Sequence, residues 1–336
     1  MEKNRESQQA CQPGQGNTRQ NASGEGNTRQ QYVCNGTDDK HLYDLVDPKD
    51  NARVLEEVAL VASLLSLGGC EQPLTALHED IVRLFSGRFP GYRRSTTKYH
   101  NLEHTCSVVL ATARLLHGCV LDGVLRLSER DFLLCVMAAY FHDTGMIQEE
   151  GDTEGTGAKY TVGHEQRSIV FMERYLASHG YGEADIRSCA DMIRCTILSL
   201  PPENIAFSVD GDSVLGCIVG AADLLAQMAD RTYLEKLHLL FQEFEEAKLP
   251  GFSSEQELIM QTETFYTNVA KKRLEGGLKG LYTHMRSHFR ERWGRDEDLY
   301  ATSIEANIRY ISDLANACRE NPACYEELLR RRVGPK

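Results

Sequence analysis

The spacing of apolar residues constrains the fold of this chain more than any other feature of its sequence. From about Asp47 onward, apolar side chains recur at steps of three and four residues, and alternating β-branched runs are few. This period places the apolar residues along one side of an α-helix rather than on one face of a strand. The pattern predicts helices near residues 53–67, 74–86, 101–117, 129–142, 164–179, 184–198, 212–229, 231–247, 254–275, 278–292 and 303–318.

Capping signals mark several of the predicted helix boundaries. A serine or threonine followed three residues later by an acidic residue is typical of a capping box, and this pattern occurs at Ser128, Ser254 and Thr302. Gly118 and Gly180 fall where the periodicity predicts that helices end. These five positions therefore divide the apolar periodicity into separate helices.

The short links between the helices indicate one large all-α domain, which we place at residues 41–325. Longer loops are expected at 146–162 and 200–212. Residues 1–40 are rich in Gln, Asn, Gly, Ser and Thr and repeat the pentapeptide GNTRQ. Because such a segment buries too little apolar surface to offset its ordering entropy, it is predicted to be a disordered low-complexity tail. Residues 326–336, which contain three consecutive arginines, are interpreted as a basic C-terminal tail.

Composition excludes several classes of protein. The longest uncharged apolar stretch, Val58 to Cys70, has 13 residues, fewer than the roughly 18 that a membrane helix needs. The N-terminus lacks the apolar core of a secretory signal, so a cytoplasmic location is expected. The 11 cysteines include no CxxC pair and are interpreted as buried thiols in a reducing compartment. The net charge of −12 argues against nucleic-acid binding, since phosphate contacts need clustered Lys and Arg.

A histidine pair opens the predicted helix at 101–117. The run YHNLEH, residues 99–104, places His100 and His104 four residues apart, so that both imidazoles project from one face of the helix. Two histidines with this spacing can bind a metal ion, although the same spacing also occurs on ordinary helix surfaces.

Acidic residues interrupt two strongly apolar helices. His142 and Asp143 end one of them, where they could also be a C-terminal capping histidine and the first residue of a turn. Asp223 lies within VLGCIVGAADLLAQM, among apolar and small neighbours. A buried carboxylate must be paired, coordinated or neutralised, and a divalent cation would satisfy these positions. Asp230 shares the helix face of Asp223, but its neighbour Arg231 offers it a simple ion pair, which makes Asp223 the better ligand candidate.

The order of these residues, His, then His-Asp, then Asp, gives a mixed nitrogen and oxygen donor set that suits Zn, Mn, Fe or Mg. This order resembles the HD superfamily of metal-dependent phosphohydrolases. Three segments are more similar to the catalytic domain of its 3′,5′-cyclic nucleotide phosphodiesterases. YHNLEH resembles the YHNxxH signature of that domain, and DMIRCT at 191–196 resembles its D-M-[VI]-x-x-T segment. Ala222-Asp223, with the long helix that follows, resembles its metal-binding helix. The resemblance covers roughly residues 50–310.

The resemblance implies a role for each residue of the motif. The metal ligands would be His104, His142, Asp143 and Asp223, with Asp143 bridging to a second divalent ion. A hydroxide shared by the two ions would attack phosphorus. His100 would be the general acid that protonates the leaving oxygen.

The sequence also departs from the phosphodiesterase pattern. The HDxDH run of the family is HDTGM here, so the further Asp and His that support the second metal are missing. His164 could reach this metal and Glu165 could position its water, although an acid in the first turn of an ordinary helix explains Glu165 equally well. Thr196 would lie near the water shell of the second ion. The family places a Gln three residues before the Phe that stacks on the base, whereas Thr262 precedes Phe265 here. Phe265 could still stack a base, without amide recognition.

The sequence therefore predicts a metal-dependent phosphohydrolase that cleaves a phosphodiester, preferentially a 3′,5′-cyclic nucleotide, with a role in signal transduction. An HD-type nucleotidase or phosphomonoesterase and a non-catalytic nucleotide-sensing HD module stay open as alternatives. The expected partner is a small phosphorylated substrate, with neither nucleic acid nor membrane. Residues 142–165 hold six anions against one lysine, and this local charge would attract divalent cations.

A second histidine pair, His284 and His288, has the same four-residue spacing. It lies between Arg286 and Arg290, with no carboxylate in a matching context. We interpret these histidines as surface side chains.

Overall fold

Helices account for the architecture of residues 41–318, the part of the chain that the computed structural model describes. No β-strand occurs within this range, and the β-type pairing found there is a single antiparallel bridge between Tyr92 and Glu149. The predicted all-α fold is confirmed. The helices are α1 (Leu42–Leu45), α2 (Asn51–Leu64), α3 (Glu71–Phe85), α4 (Leu102–Leu121), α5 (Glu129–Phe141), α6 (His164–Ser178), α7 (Glu183–Arg194), α8 (Asp212–Met228), α9 (Tyr233–Glu246), α10 (Glu255–Phe265), α11 (Met285–Trp293) and α12 (Leu299–Ala317).

Side-chain caps fix several helix starts. Ser128 accepts a hydrogen bond from the backbone N–H of Asp131 and completes the predicted capping box of α5. Ser254 caps α10 in the same way, by accepting from the backbone N–H of Glu257. The box expected at Thr302 is wrong, because α12 begins earlier, at Leu299, where the carboxylate of Asp298 accepts from two backbone N–H groups. An aspartate cap satisfies these N–H groups upstream of the threonine.

The two glycines expected to end helices behave differently. Gly180, with φ +80°, follows the last residues of α6 in the left-handed conformation that terminates a helix. Gly118 lies inside α4 instead, and a Cβ there would be 2.0 Å from the carbonyl oxygen of His284. Because Gly118 has no side chain, a neighbouring segment can approach α4 closely at this position, and the glycine does not end the helix.

The predicted helices at 254–275 and 278–292 are each divided. After α10 the chain continues through two π-helical segments, Tyr266–Ala270 and Arg273–Gly277. A 3₁₀ turn, Leu281–His284, then leads into α11. Both irregular regions keep the apolar periodicity of a helix, which is why the pattern alone does not reveal them.

The core is built around α4. Fifteen of its residues, from Thr105 to Cys119, are buried, and it packs against α2, α5, α8 and α11. Within residues 41–318, α4 is the one unbroken helix long and apolar enough to cross a membrane, and the sharply bent pair of α8 and α9 passes the same test only when taken together. However, 83% of the apolar window of α4 is buried inside the protein, as is usual for a core helix.

The cysteines of the described region are mostly buried free thiols, as predicted. They are Cys70, Cys106, Cys119, Cys135, Cys189, Cys195 and Cys217. Cys318 is an exception, since it is disulfide-bonded. The predicted tails at 1–40 and 326–336 lie outside the described residues.

Candidate metal centre

Three packed helices carry the predicted metal ligands. His104 lies in the first turn of α4, where the side chain of Asn101 accepts a hydrogen bond from its backbone N–H at 3.1 Å. His142 is the C-cap residue of α5, directly after Phe141, and Asp143 follows it. Asp223 lies in the middle of α8. Because α4 packs against both α5 and α8, the four side chains meet in one place.

The donor atoms of this cluster are about as far apart as two ligands of one ion. Nε2 of His104 lies 3.3 Å from Oδ2 of Asp143 and 3.4 Å from Oδ1 of Asp223. Nε2 of His142 lies 3.1 Å from the same Asp143 oxygen and 3.4 Å from Nε2 of His104. Two donors about 2.1 Å from a metal, at angles between octahedral and tetrahedral, are separated by about 3.0 to 3.4 Å. The geometry of the cluster therefore suits a single coordinated cation.

Hydrogen bonds outside the cluster orient its ligands. Nδ1 of His142 lies 2.8 Å from the carbonyl oxygen of Ala139, so this nitrogen carries the proton and Nε2 presents a lone pair to the cluster. Oδ2 of Asp143 is buried and accepts no hydrogen bond from residues 41–318. A buried carboxylate oxygen without a donor is costly unless a cation lies beside it. This oxygen is the strongest structural indication of a metal ion.

The electrostatics of the cluster favour positive charge. Burial opposes protonation of His104, but the carboxylates of Asp143 and Asp223 outweigh it and raise the pKa of this imidazole to about 10. Although burial disfavours the charged form of Asp143, the surrounding imidazoles, of which His142 has the largest effect, hold its pKa well below the usual range. A proton and a metal ion compete for the same histidine nitrogen. The negative charge of the carboxylates, which retains the proton on His104, therefore also attracts a divalent cation.

His164 lies on the opposite side of Asp143. Its Nε2 is 3.1 Å from Oδ1 of Asp143, and its Nδ1 donates to the carbonyl oxygen of Thr161 at 2.8 Å. The two oxygens of Asp143 thus face different histidines, which is the arrangement of a carboxylate able to bridge two ions. Glu165, whose Oε2 lies 3.6 Å from Nδ1 of His164, lines the same cavity, as does Thr196. The sequence-predicted second-ion residues are therefore close to Asp143 or to its cavity.

His100 lies beside the ligands without joining them. Its ring centroid is 5.9 Å from that of His104 and 5.8 Å from that of His164. Nδ1 of His100 lies 2.5 Å from Oε2 of Glu243, and the other oxygen of Glu243 accepts from the backbone N–H of Tyr99 at 2.7 Å. No motif in the sequence marks Glu243, and the available signal is a glutamate on the buried face of the amphipathic α9.

A cavity of about 500 Å³ opens above the cluster. No lysine or arginine of the described residues lines it. Phe265 lies in the wall of the cavity, as the base-stacking prediction requires. Thr262, three residues earlier, also lines the cavity, and its hydroxyl donates a hydrogen bond to the carbonyl oxygen of Leu258. Gln261 also reaches the cavity, and its amide donates to Glu257. The apolar part of the wall consists of Leu198, Leu224, Leu237, Leu240, Phe244, Phe252, Leu258, Phe265 and Val269.

Asp230 has a different partner from the one expected. Its Oδ2 lies 2.5 Å from Nζ of Lys236, which also contacts Glu103 at 2.7 Å, whereas Arg231 forms no ion pair in the described region. The chain bends by 108° between α8 and α9, and this bend brings the first turn of α9 back over Asp230. Asp230 is outside the metal cluster, as expected, but its ion-pair partner is Lys236 rather than Arg231.

The interpretation of the second histidine pair is wrong for His288. This imidazole is fully buried, and its Nδ1 lies 3.0 Å from Nδ1 of His117 on α4. His284 lies near the surface and contacts Oδ2 of Asp122 at 2.6 Å. The pair fails to share one face because His284 belongs to the 3₁₀ turn, while α11 packs His288 against α4.

Two protein families match parts of the chain. Residues 89–194 match the family described as HD-CE, and residues 149–288 match the family described as Npun_R2479-like. The HD-CE match includes His100, His104, His142 and Asp143 and ends before Asp223. Together with the His/Asp cluster, it indicates an HD-type domain with a group of residues able to bind a metal. No curated protein matches the chain.

Proposed function

We propose that this protein is a metal-dependent phosphohydrolase that cleaves a phosphodiester, with 3′,5′-cyclic nucleotides as its substrate class. One observation carries the proposal: an oxygen of Asp143 that is buried and accepts no hydrogen bond from residues 41–318 lies among two imidazoles and a second carboxylate, at the floor of a cavity of about 500 Å³. A site of this kind is suited to metal-assisted hydrolysis.

The residues present fit divalent cations. His104, His142, Asp143 and Asp223 would hold the first ion, and Asp143 with His164 would face a second, which makes Zn, Mn, Fe or Mg suitable. Bound ions would supply Lewis-acid polarisation of the phosphoryl group and would lower the pKa of a water molecule. The packing of α4 against α5 and α8 holds these ligands in position before a substrate arrives.

His100 is the proposed proton donor to the leaving oxygen. Glu243 accepts the Nδ1 proton of His100 and is itself fixed by the backbone N–H of Tyr99. This contact fixes the orientation of the ring and leaves Nε2 as the nitrogen that can hold a second proton. Since His100 lines the cavity, that proton is available to a substrate seated above the cluster.

The cavity supports a substrate of low charge with an apolar or aromatic body. Its volume of about 500 Å³ lies within the usual range for small-molecule sites. Without lysine or arginine in the wall, negative charge on a substrate is balanced only at the metal cluster. A diester carries one charge at its phosphate and a monoester carries up to two, so the lining favours the diester. Phe265 is the proposed stacking surface for a base.

A nucleotidase or phosphomonoesterase is the second candidate. The observation that favours it is the occupied hydroxyl of Thr262, which stands where cyclic nucleotide phosphodiesterases place the amide that reads the base. Rates with cyclic AMP, cyclic GMP and a panel of nucleoside monophosphates separate the two functions. A greater kcat/KM for monophosphates than for cyclic nucleotides would replace the first proposal by the second.

The experiment that tests the metal-dependent activity compares Asp143→Asn with Asp152→Asn. Asp152 belongs to the loop after Asp143 and pairs with Lys159 at 2.5 Å, away from the cluster. Elemental analysis and diester hydrolysis are measured on the same preparations. We expect wild type and Asp152→Asn to contain metal and to hydrolyse diesters, while Asp143→Asn loses both. Full turnover by Asp143→Asn would contradict the proposal, and tight nucleotide binding by the metal-loaded wild type without hydrolysis would indicate a sensor instead.

A further inference from the structure

Ser168, on α6, lies behind the turn that carries Asp143. Its side chain is fully buried. The hydroxyl donates a hydrogen bond to the carbonyl oxygen of His142 at 2.5 Å and accepts one from the backbone N–H of Gly145 at 2.8 Å. These two backbone groups lie directly before Asp143 and two residues after it. A single hydroxyl therefore holds the chain on both sides of the proposed bridging ligand.

Arg167, the preceding residue of α6, contacts the same turn. Its Nε donates a hydrogen bond to the carbonyl oxygen of Gly145 at 2.8 Å. The guanidinium carbon also lies 3.6 Å from the centroid of the Tyr160 ring, and this cation–π contact fixes the orientation of the side chain. Two adjacent residues of α6 thus form three hydrogen bonds with the backbone of residues 142–145. The turn and the start of α6 are therefore held together as one unit.

The approach of α6 to this turn leaves no room for a side chain at Gly145. A Cβ there would lie 2.0 Å from the carbonyl oxygen of His164 and 2.7 Å from the backbone nitrogen of Ser168. His164 is one helical turn before Ser168, so both side chains project from the same face of α6. Nε2 of His164 lies 3.1 Å from Oδ1 of Asp143. The first turns of α6 thus place His164 directly and Asp143 through Ser168.

We propose that Ser168 is a positioning residue that sets the affinity for the second divalent ion, an inference that rests on the proposed metal-dependent function. The second ion would depend on Asp143 and His164, which belong to the two elements that the Ser168 hydroxyl joins. The first ion would keep three ligands from other parts of the cluster, His104, His142 and Asp223.

Removal of the Ser168 hydroxyl would leave two buried backbone groups without their partner, the carbonyl of His142 and the N–H of Gly145. Such groups are costly when unpaired, so the turn would shift until they find other partners. The carboxylate of Asp143 would move with the turn, while His164 would stay with α6. Separation of these two side chains weakens the second ion site more than the first.

The test is a calorimetric titration of the metal-free full chain with Mn²⁺, for wild type, Ser168→Ala and Ser188→Ala. Ser188 is also fully buried, but its hydroxyl accepts a hydrogen bond from Nη2 of Arg130 at 3.1 Å and does not contact the turn. We expect wild type and Ser188→Ala to bind two ions with the same affinities. Ser168→Ala should keep the first ion, while the Kd of the second rises by about 10- to 100-fold.

Arg167→Gln provides the same test if Ser168→Ala fails to fold, because it removes one hydrogen bond to the turn and leaves the Ser168 hydroxyl in place. Its Kd for the second ion should rise by a smaller factor than that expected for Ser168→Ala.

The outcomes separate this inference from the proposed function. Wild-type affinity for the second ion in the folded Ser168→Ala or Arg167→Gln variant overturns the inference alone. An equal rise of the second Kd in Ser188→Ala also overturns it, since a general loss of stability would then explain the effect. Binding of a single Mn²⁺ by wild type has the same consequence. A wild type that binds no Mn²⁺ overturns the proposed function together with the inference.

Discussion

At the scale of single residues, the candidate site combines donors that are far apart in the chain. Asp143 contacts His104 and His142 through one oxygen and His164 through the other. The sequence indicated His142 and Asp143 by their position at the end of an apolar helix and His104 by its four-residue spacing from His100. His164 was indicated only through the family resemblance. Glu243 was not identified, since nothing near it in the chain indicates that it would meet His100. Its role depends on the packing of α9 beside the start of α4.

Leaving-group dependence tests His100 and Glu243. We expect His100→Asn to lower hydrolysis of an alkyl phosphodiester by about 10² to 10⁴-fold, because the leaving alkoxide needs a proton. Hydrolysis of bis(4-nitrophenyl) phosphate should fall much less, since nitrophenolate leaves without one. Glu243→Gln should show the same discrimination with a loss of about 10- to 100-fold. Metal content should stay at the wild-type level in both variants.

Glu246→Gln is the control for this comparison. Glu246 lies on the same helix but contacts the backbone N–H and hydroxyl of Thr156 rather than a histidine. Glu246→Gln should either leave the rates of hydrolysis of both substrates unchanged or lower them by the same factor. Equal losses for both substrates in His100→Asn would exclude the role of His100 as the proton donor.

At the scale of helices, local signals specify where several of them begin. The serine caps of α5 and α10 follow from one side chain and the next three residues. The π-helical segments after Phe265 do not follow from such local signals. Residues 266–277 keep the apolar periodicity of an α-helix, whereas their backbone hydrogen bonds have a different pattern. Gly118 shows the same limit, since its sequence context suits a helix end and its tertiary context requires a closely packed interior position.

Gly118→Ala tests that close approach. Alanine favours a helix interior by about 1 kcal/mol relative to glycine. Its Cβ would nevertheless lie 2.0 Å from the carbonyl oxygen and 2.8 Å from the carbonyl carbon of His284, so backbone must move. Overpacking of this kind costs about 1 to 3 kcal/mol, and the net result should be a lower free energy of unfolding, measured by denaturant titration.

Gly68→Ala is the matched substitution in open space, with nothing within 4 Å of the added Cβ. It should change the free energy of unfolding by less than about 0.5 kcal/mol. A stability of Gly118→Ala equal to or above that of wild type would show that α4 and the segment at His284 are less tightly packed than the structure indicates.

At the scale of the whole molecule, charge is distributed unevenly. The acidic segment 142–165 does not face the cavity as a whole: Asp143 and Glu165 line it, whereas Asp152 pairs with Lys159. The cavity has carboxylates at its floor and no lysine or arginine in its wall. Where α11 packs against α4, Arg114 and Arg292 lie near a pair of buried histidines. The molecule thus places carboxylates that attract cations near the start of α4 and buried cations farther along the same helix.

The buried pair of His117 and His288 should make stability depend on pH. Burial, with the charge of Arg292, lowers the pKa of His117 to about 4 from its ordinary value near 6.5. Burial also holds the pKa of His288 well below that value. Between pH 6.5 and 4 the unfolded chain therefore binds more protons than the folded one, so the free energy of unfolding falls as the pH is lowered. The contribution of His117 is on the order of 3 kcal/mol.

His117→Asn separates this effect from other acid-sensitive groups. Asparagine can replace Nδ1 in the contact with His288 but does not titrate. Denaturant unfolding between pH 7 and pH 4 should give a shallower loss of stability for His117→Asn than for wild type. His41→Asn, at an exposed position before α1, should follow the wild-type profile. Parallel profiles for wild type and His117→Asn would contradict the assignment.

The sequence by itself determined the all-α class, most helix positions and the residue types able to bind a metal. These depend on neighbours three or four residues away, which a linear pattern records. The tertiary structure decided which of these side chains meet. It placed His100 on Glu243, gave Asp230 to Lys236, buried His288 against His117 and joined Ser168 to the turn after α5. Such contacts depend on which faces of distant helices pack together, and no local spacing in the chain encodes that choice.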